Sequence, residues 1–236
     1  MRWGAGALGL GVMLAGALAA GAAGLAPATA APGPLRTVAT DQKVIALTFD
    51  WSWGTVMGPK VLAILERERV PATFFLSGPW ALRHPELVGA VRRGGFEIES
   101  HGQAHVNFSG LSREGVARNI QAAGAILREV AGVTPRFIRP PNGDWSRASL
   151  EVAHSLGYRI VLWGTDSLDW MNPGVHAIVK RVLARAHPGD IVLLHSSDTC
   201  KETDRALPAI IAGLRQRGYR FVTLAQLLSL AGPAAP

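Results

Sequence analysis

Two histidines four residues apart, His101 and His105, follow the run Phe96-Glu-Ile-Glu-Ser100. Neutral imidazoles carry nitrogen lone pairs suited to zinc and related ions, and this spacing lets two of them converge on one point. Position 102 is Gly, so the H-E-x-x-H pattern with its built-in general base does not apply, and any base has to come from elsewhere in the chain. Alone, H-x-x-x-H also describes two polar loop histidines, so the other residues must decide. Asp50, Arg139, Asp166 and His195 each stand at or just beyond the end of a short apolar run. Singly, each has a plain reading: a strand-end Asp caps the next helix, an Arg pairs with a neighbour, a His bonds within its loop. Five chemically competent positions at five run ends point to one site.

The elements that must position them alternate from Lys43 onward. Strands are predicted at Val44–Phe49, Thr73–Ser77, Phe96–Ser100, Phe137–Arg139, Arg159–Gly164, Asp190–His195 and Arg220–Val222. Between them the 3.6-residue pattern predicts helices at Pro59–Arg69, Pro85–Arg93, Arg113–Val130, Arg147–Leu156, Gly174–Ala186 and Thr203–Arg217. Gly94, Gly157 and Gly218 are expected to close helices in left-handed conformation. Strands apolar on both faces that alternate with helices imply a parallel sheet covered by helices. Seven strands over residues 43–230 fit a barrel better than an open sheet, and barrels carry their chemistry at the C-terminal strand ends. No internal repeat of fixed period interrupts the pattern.

Composition narrows the setting. Residues 1–30 hold one charge, Arg2, a long Gly/Ala/Leu stretch and an Ala28-Thr-Ala30 site. They are expected to be a secretory signal peptide, or an N-terminal membrane anchor if uncleaved; either places the remainder outside the cytoplasm. Residues 31–42, with Pro32 and Pro34, are expected to be a linker, 43–230 the functional domain and 231–236 a tail. Residues 31–236 carry 23 Lys and Arg against 17 Asp and Glu, a balance that favours anionic surroundings such as a cell wall. No basic run with interleaved aromatics and no nucleic-acid motif occurs, so a nucleic-acid partner is not expected. The single cysteine, Cys200, excludes an intrachain disulfide and a cysteine-based zinc site.

Five segments, taken in order, resemble the motifs of the polysaccharide deacetylases, the metal-dependent carbohydrate esterases with a NodB homology domain. They are Thr48-Phe-Asp50, Ser100-His-Gly-Gln-Ala-His105, Arg139-Pro-Pro-Asn-Gly143, Asp166-Ser-Leu-Asp-Trp170 and Leu193-Leu-His195. The resemblance spans about Lys43 to Leu230 and is nearest in wording to the sporulation-associated branch. It implies an α/β fold, a distorted (β/α) barrel of about seven parallel strands, acting as a monomer on a cell-wall glycan and removing N-acetyl groups. It also implies one divalent metal, zinc with cobalt or nickel as alternatives, on His101 and His105. Asp50 would be the general base, held ionised by Arg139. A backbone N–H near Asn142 would help stabilise the oxyanion. His195 would be the acid, with Asp166 raising its basicity. Trp170 and Leu193 would wall the acetyl pocket.

One departure bears on all of this. The family's first motif usually continues into a second carboxylate that ligates the metal, and here position 51 is Trp. An indole offers no lone pair to a metal, and two histidines alone are fewer protein ligands than catalytic zinc sites use. Four readings stay open: Asp50 ligates, Asp169 reaches in, metal binds weakly, or catalysis is lost. An exported N-deacetylase therefore stands beside a cell-wall glycan-binding protein that keeps the fold. An enzyme that opens a cyclic amide is a third reading.

Overall fold

A computed structural model of the chain describes Met1 and residues 31–230; the expected leader and the 231–236 tail lie outside the described residues. β1 (Val44–Trp51) is buried at every position. Its alternate side chains serve two environments, as the two-residue period of a strand requires. Ile45, Leu47, Phe49 and Trp51 join the main core beneath the helices. Val44 and Ala46 join a smaller cluster with Phe75, Phe137, Val161 and Ile191, and Thr48 and Asp50 continue that second face toward the strand's C-terminal end.

β2 (Thr73–Leu76), β3 (Glu97–Ser100), β4 (Phe137–Ile138), β5 (Arg159–Ile160), β6 (Thr165–Asp166), β7 (Asp190–His195) and β8 (Arg220–Phe221) complete one sheet. Its order is β5-β4-β3-β2-β1-β7-β6, with β8 beside the start of β1 and every pairing parallel. The connections carry α1 (Met57–Glu68), α2 (Gly78–Arg83), α3 (Pro85–Arg93), α4 (Arg113–Ala131), α5 (Arg147–Ser155), α6 (Val175–Arg185), α7 (Thr203–Gln216) and α8 (Leu224–Ser229). The short α2 and α8 have too few turns for a periodic signal, and sequence reasoning missed them. None of the described helices is long and apolar enough to cross a membrane.

Of the expected strand Arg159–Gly164 only β5, Arg159–Ile160, is a strand, and the run goes on to β6 just past its end, with a different partner. Val161 donates to Ile138 O of β4, Leu162 N donates to Leu35 O, and Gly164 N donates to Ile191 O of β7. One run of chain thus leaves one edge of the sheet and arrives at the other. The curled sheet is a distorted (β/α) barrel, its circuit completed by a covalent link.

Leu35 is part of that closure, which corrects the reading of residues 31–42 as a linker. Leu35 bridges Val161 and Thr37 bridges Asp190, and Val38 N donates to Gly189 O. Leu35 and Val38 are buried in the smaller core cluster. The prolines at 32 and 34 suggest a spacer, but the chain between β5 and β7 needs backbone partners and this segment supplies them. The glycine stops also shift by one place in α3. Gly94 has φ −70 and is helical, while Gly95 takes the left-handed conformation at φ 72. Gly157 and Gly218 do so as expected, at φ 80 and 83.

Candidate active site

The sheet register brings the site together. Asp50 near the end of β1 lies directly opposite His195 at the end of β7. On the other side of β1, His101 N donates to Leu76 O and Arg139 N donates to Ser100 O. Asp50, His101, His105, Asn142, Asp166, Trp170, Leu193 and His195 all line one cleft, joined by Trp53, Trp163 and Cys200. The cleft thus gathers every sequence-predicted position except Arg139, which lies beneath it, fully buried.

Arg139 is held from several sides. Its Nη1 donates to Asp50 Oδ1 at 2.7 Å, and its Nη2 donates to Thr48 Oγ1 at 2.8 Å and Leu162 O at 3.0 Å. Its guanidinium lies over the Phe75 ring, 4.1 Å from the centroid, so the cation is both paired and stacked. Burial pushes the Asp50 carboxyl up, but Arg139, with His101 and His195, outweighs this and holds it below the usual carboxylate range. Only Oδ1 is used by Arg139. Oδ2 faces His101 Nε2 at 3.7 Å.

His101 is buried and its Nδ1 lies 2.8 Å from Arg139 O. A carbonyl only accepts, so Nδ1 carries the proton and the Nε2 lone pair faces the cleft, as in metal-binding histidines. Burial pushes its pKa down to about 4, which keeps the ring neutral near pH 7. The His105 ring stands 5.4 Å from it, centroid to centroid, on an exposed loop, with Trp53 4.6 Å away on its own account.

His195 has a different partner from the one its motif implied. Its Nδ1 lies 2.7 Å from Asp169 Oδ1, and its backbone N–H donates to Asp169 Oδ2 at 2.8 Å. Asp166 makes no such bond. Its Oδ1 accepts from Leu168 N, an Asx-type turn that leads into a 3-10 turn at Asp169–Met171. Asp166 therefore shapes the loop, and the fully buried Asp169 contacts the histidine. Two aspartates three residues apart in Asp166-Ser-Leu-Asp169 left this choice open in the sequence. Burial pushes the His195 pKa down, Asp169 pushes it up, and the net direction is up.

Asp169 is consequently not a ligand for His101 and His105. Its oxygens accept two bonds from His195 and one from Thr203 Oγ1. Asp169, His195 and Cys200 do form a group whose ligand atoms all lie within 4.8 Å of one another. That closeness is the carboxylate–imidazole bond plus a buried thiol. Burial raises the Cys200 pKa to about 12, so the sulfur stays protonated, and both Asp169 oxygens are already engaged by His195 and Thr203.

Trp51 points the other way. It is fully buried against Trp80, with ring centroids 4.1 Å apart, and near Phe74. Its Nε1 donates to Gly54 O. A side chain on Gly58 of α1 would come within 1.9 Å of the indole, so the helix is bare where Trp51 lies against it. The donors that remain at the cleft are His101 Nε2, the His105 imidazole and Asp50 Oδ2. Two neutral imidazoles are donors that suit a divalent cation, and Asp50 Oδ2, 3.7 Å from His101 Nε2, is the acceptor left beside them.

The family model for polysaccharide deacetylase matches residues 37–161. The chain is 39% identical to a peptidoglycan-N-acetylglucosamine deacetylase of Bacillus cereus over 194 residues, covering 81% of this chain and 91% of that one. It is 28% identical to the Bacillus subtilis protein YlxY over 84% of its own length, and spans 61% of that relative. Among solved structures, a family 4 carbohydrate esterase pseudoenzyme from Bacillus anthracis superposes with TM-score 0.80 at 27% identity, over 84% of this chain and 70% of that one. A mutant of that pseudoenzyme with restored enzymatic activity superposes equally well. The chain belongs to the polysaccharide deacetylase family.

Proposed function

We propose that this protein is an exported hydrolase that removes N-acetyl groups from a cell-wall glycan. The observation that carries the reading is the Asp50–His195 pair, opposed in register across one cleft. Each member is held toward its charged form by its own buried partner, Arg139 and Asp169. A binding protein needs neither a base nor an acid. Asp50, kept ionised, accepts a proton from the attacking water through Oδ2. His195 carries its proton on the ring nitrogen away from Asp169 and delivers it to the departing sugar amine. Asn142, at φ 59 beside Gly143 at φ 64, bends the backbone at the cleft wall, where an amide could meet the developing oxyanion. Trp170 and Leu193 border the same cleft and offer apolar surface to an acetyl methyl group.

His101 and His105 would hold a divalent metal, zinc with cobalt or nickel as alternatives, leaving Asp50 Oδ2 for the attacking water. When bound, such an ion polarises a carbonyl and lowers the pKa of water. The decisive experiment measures acetate release from peptidoglycan and N-acetylglucosamine oligomers, using chelated protein resupplied with zinc, cobalt or nickel. Release that falls at least ~10²-fold in Asp50→Asn is expected. No release with any metal would overturn the reading.

One observation favours a second reading, a cell-wall glycan-binding protein with little or no turnover. Trp51 is built into the core and supplies nothing to the cleft. The resemblance to a pseudoenzyme supports the same view. Oligomer binding without acetate release is its signature.

A further inference from the structure

Trp53 is 47% exposed, although Trp51 and Trp80 close by are buried. The indole lines the cleft with Asp50, His101, His105 and His195. Its N–H has no partner among the described residues, and it fills no part of the core. The backbone beneath it is nonetheless pinned by the loop that follows β7. Asp198 N donates to Trp53 O at 3.1 Å, and Ser197 Oγ accepts from Ser52 N at 3.0 Å and Trp53 N at 3.4 Å. The Asp198 carboxylate accepts the amides of Thr55, Val56 and Met57 at the start of α1. A large apolar face is therefore held in water on a fixed loop, where ordering it on binding costs little.

We propose that Trp53 is a stacking platform for one pyranose ring of a glycan chain, the ring next to the one whose acetamide enters the cleft. This rests on the deacetylase reading and extends it to how the polymer is held. A pyranose presents a face of C–H bonds and a rim of hydroxyls, which suits an indole face with polar groups around it. The cleft, at about 470 Å³, is the size of one small-molecule site, so a polymer has to continue over its rim. Trp53 stands on that rim, and Trp170, 50% exposed, lines the same opening.

The test is calorimetric binding of N-acetylglucosamine and its tetramer to the chelated full-length protein, compared across Trp53→Ala, Trp53→Phe and the parent. Trp53→Ala is expected to weaken tetramer binding by tenfold or more and leave the monosaccharide within twofold, with Trp53→Phe recovering most of the loss. Circular dichroism melting checks that each variant is folded. Tetramer affinity unchanged in a folded Trp53→Ala protein overturns the platform alone and leaves the deacetylase reading standing. Equal loss for monosaccharide and tetramer also overturns it, since the residue then acts through His105 beneath it. A parent that binds neither sugar overturns the platform, while acetate release with resupplied metal decides the deacetylase reading separately.

Discussion

At the scale of single residues, Asp169 and Trp51 most change how the site is understood. Asp169 gives both its oxygens to His195 and Thr203 from a fully buried position, so it sets the charge and tautomer of the candidate acid. Asp169→Asn is expected to lower the His195 pKa in an NMR titration and to reduce any turnover by ~10²-fold or more. Asp166→Asn should leave that pKa unchanged; the reverse pattern would reject the assignment. Trp51→Asp replaces an indole packed on Trp80 with a carboxylate facing the core. Loss of a large buried aromatic costs ~3–5 kcal/mol, and the new charge adds to that. A sharply lower melting temperature is expected, with zinc affinity by calorimetry no better than the parent's. Tighter zinc binding would show that the loop can turn residue 51 into the cleft.

The elements that matter most are the interrupted strand and the segment that completes it. Arg159–Asp166 passes from β4 to β7, and its middle is paired to Leu35, which accepts from Leu162 N and donates to Ile160 O. The same stretch carries the Leu162 carbonyl that receives Arg139 Nη2. Damage to the segment should therefore reach the site through Arg139. Leu35→Ala is expected to cost ~2–4 kcal/mol in denaturant unfolding. Removal of residues 31–42 should be more damaging, because backbone partners are lost with the side chains. Stability equal to the parent's after that truncation would mean the segment does not complete the sheet.

For the molecule as a whole, buried titratable groups make the stability of the metal-free protein depend on pH. Burial raises Glu99 to about 8, although its Oε2 accepts two backbone amides, Arg136 N and Phe137 N. The fold therefore keeps its proton where the unfolded chain has released it. This stabilisation is complete below about pH 4.5, the ordinary Glu value, and is lost as pH rises through 8. His101 works in the opposite sense. Its pKa near 4 lies below the unfolded value, so its contribution is complete above about pH 6.5 and is lost as pH falls toward 4. Between pH 6.5 and 8 Glu99 acts alone of these two, and stability should decline by at most ~1.4 kcal/mol per pH unit. Urea unfolding of chelated Glu99→Gln protein should show that decline removed; a slope equal to the parent's would assign it to other groups.

Strand-forming runs ending in Arg139 and His195, and the Asp50 and His101 that follow two others, were legible in the sequence because strand composition and helix periodicity are local properties. The same is true of the alternation that implied a parallel sheet, and of the ordered motifs that identified the family. Partnership was legible for Arg139 and Asp50 only through the family resemblance, and was not legible for His195. Asp166 and Asp169 lie in one short motif, and only the turn at Leu168 decides which carboxylate meets His195. Trp51 follows Asp50 directly, yet strand alternation sends one to the cleft and the other to the core. Leu35 sits among prolines in a stretch without periodicity, and its place between Ile160 and Leu162 comes from a pairing about 125 residues away. Such choices belong to the tertiary structure, because each depends on which of several chemically equivalent groups the packed chain leaves within bonding distance.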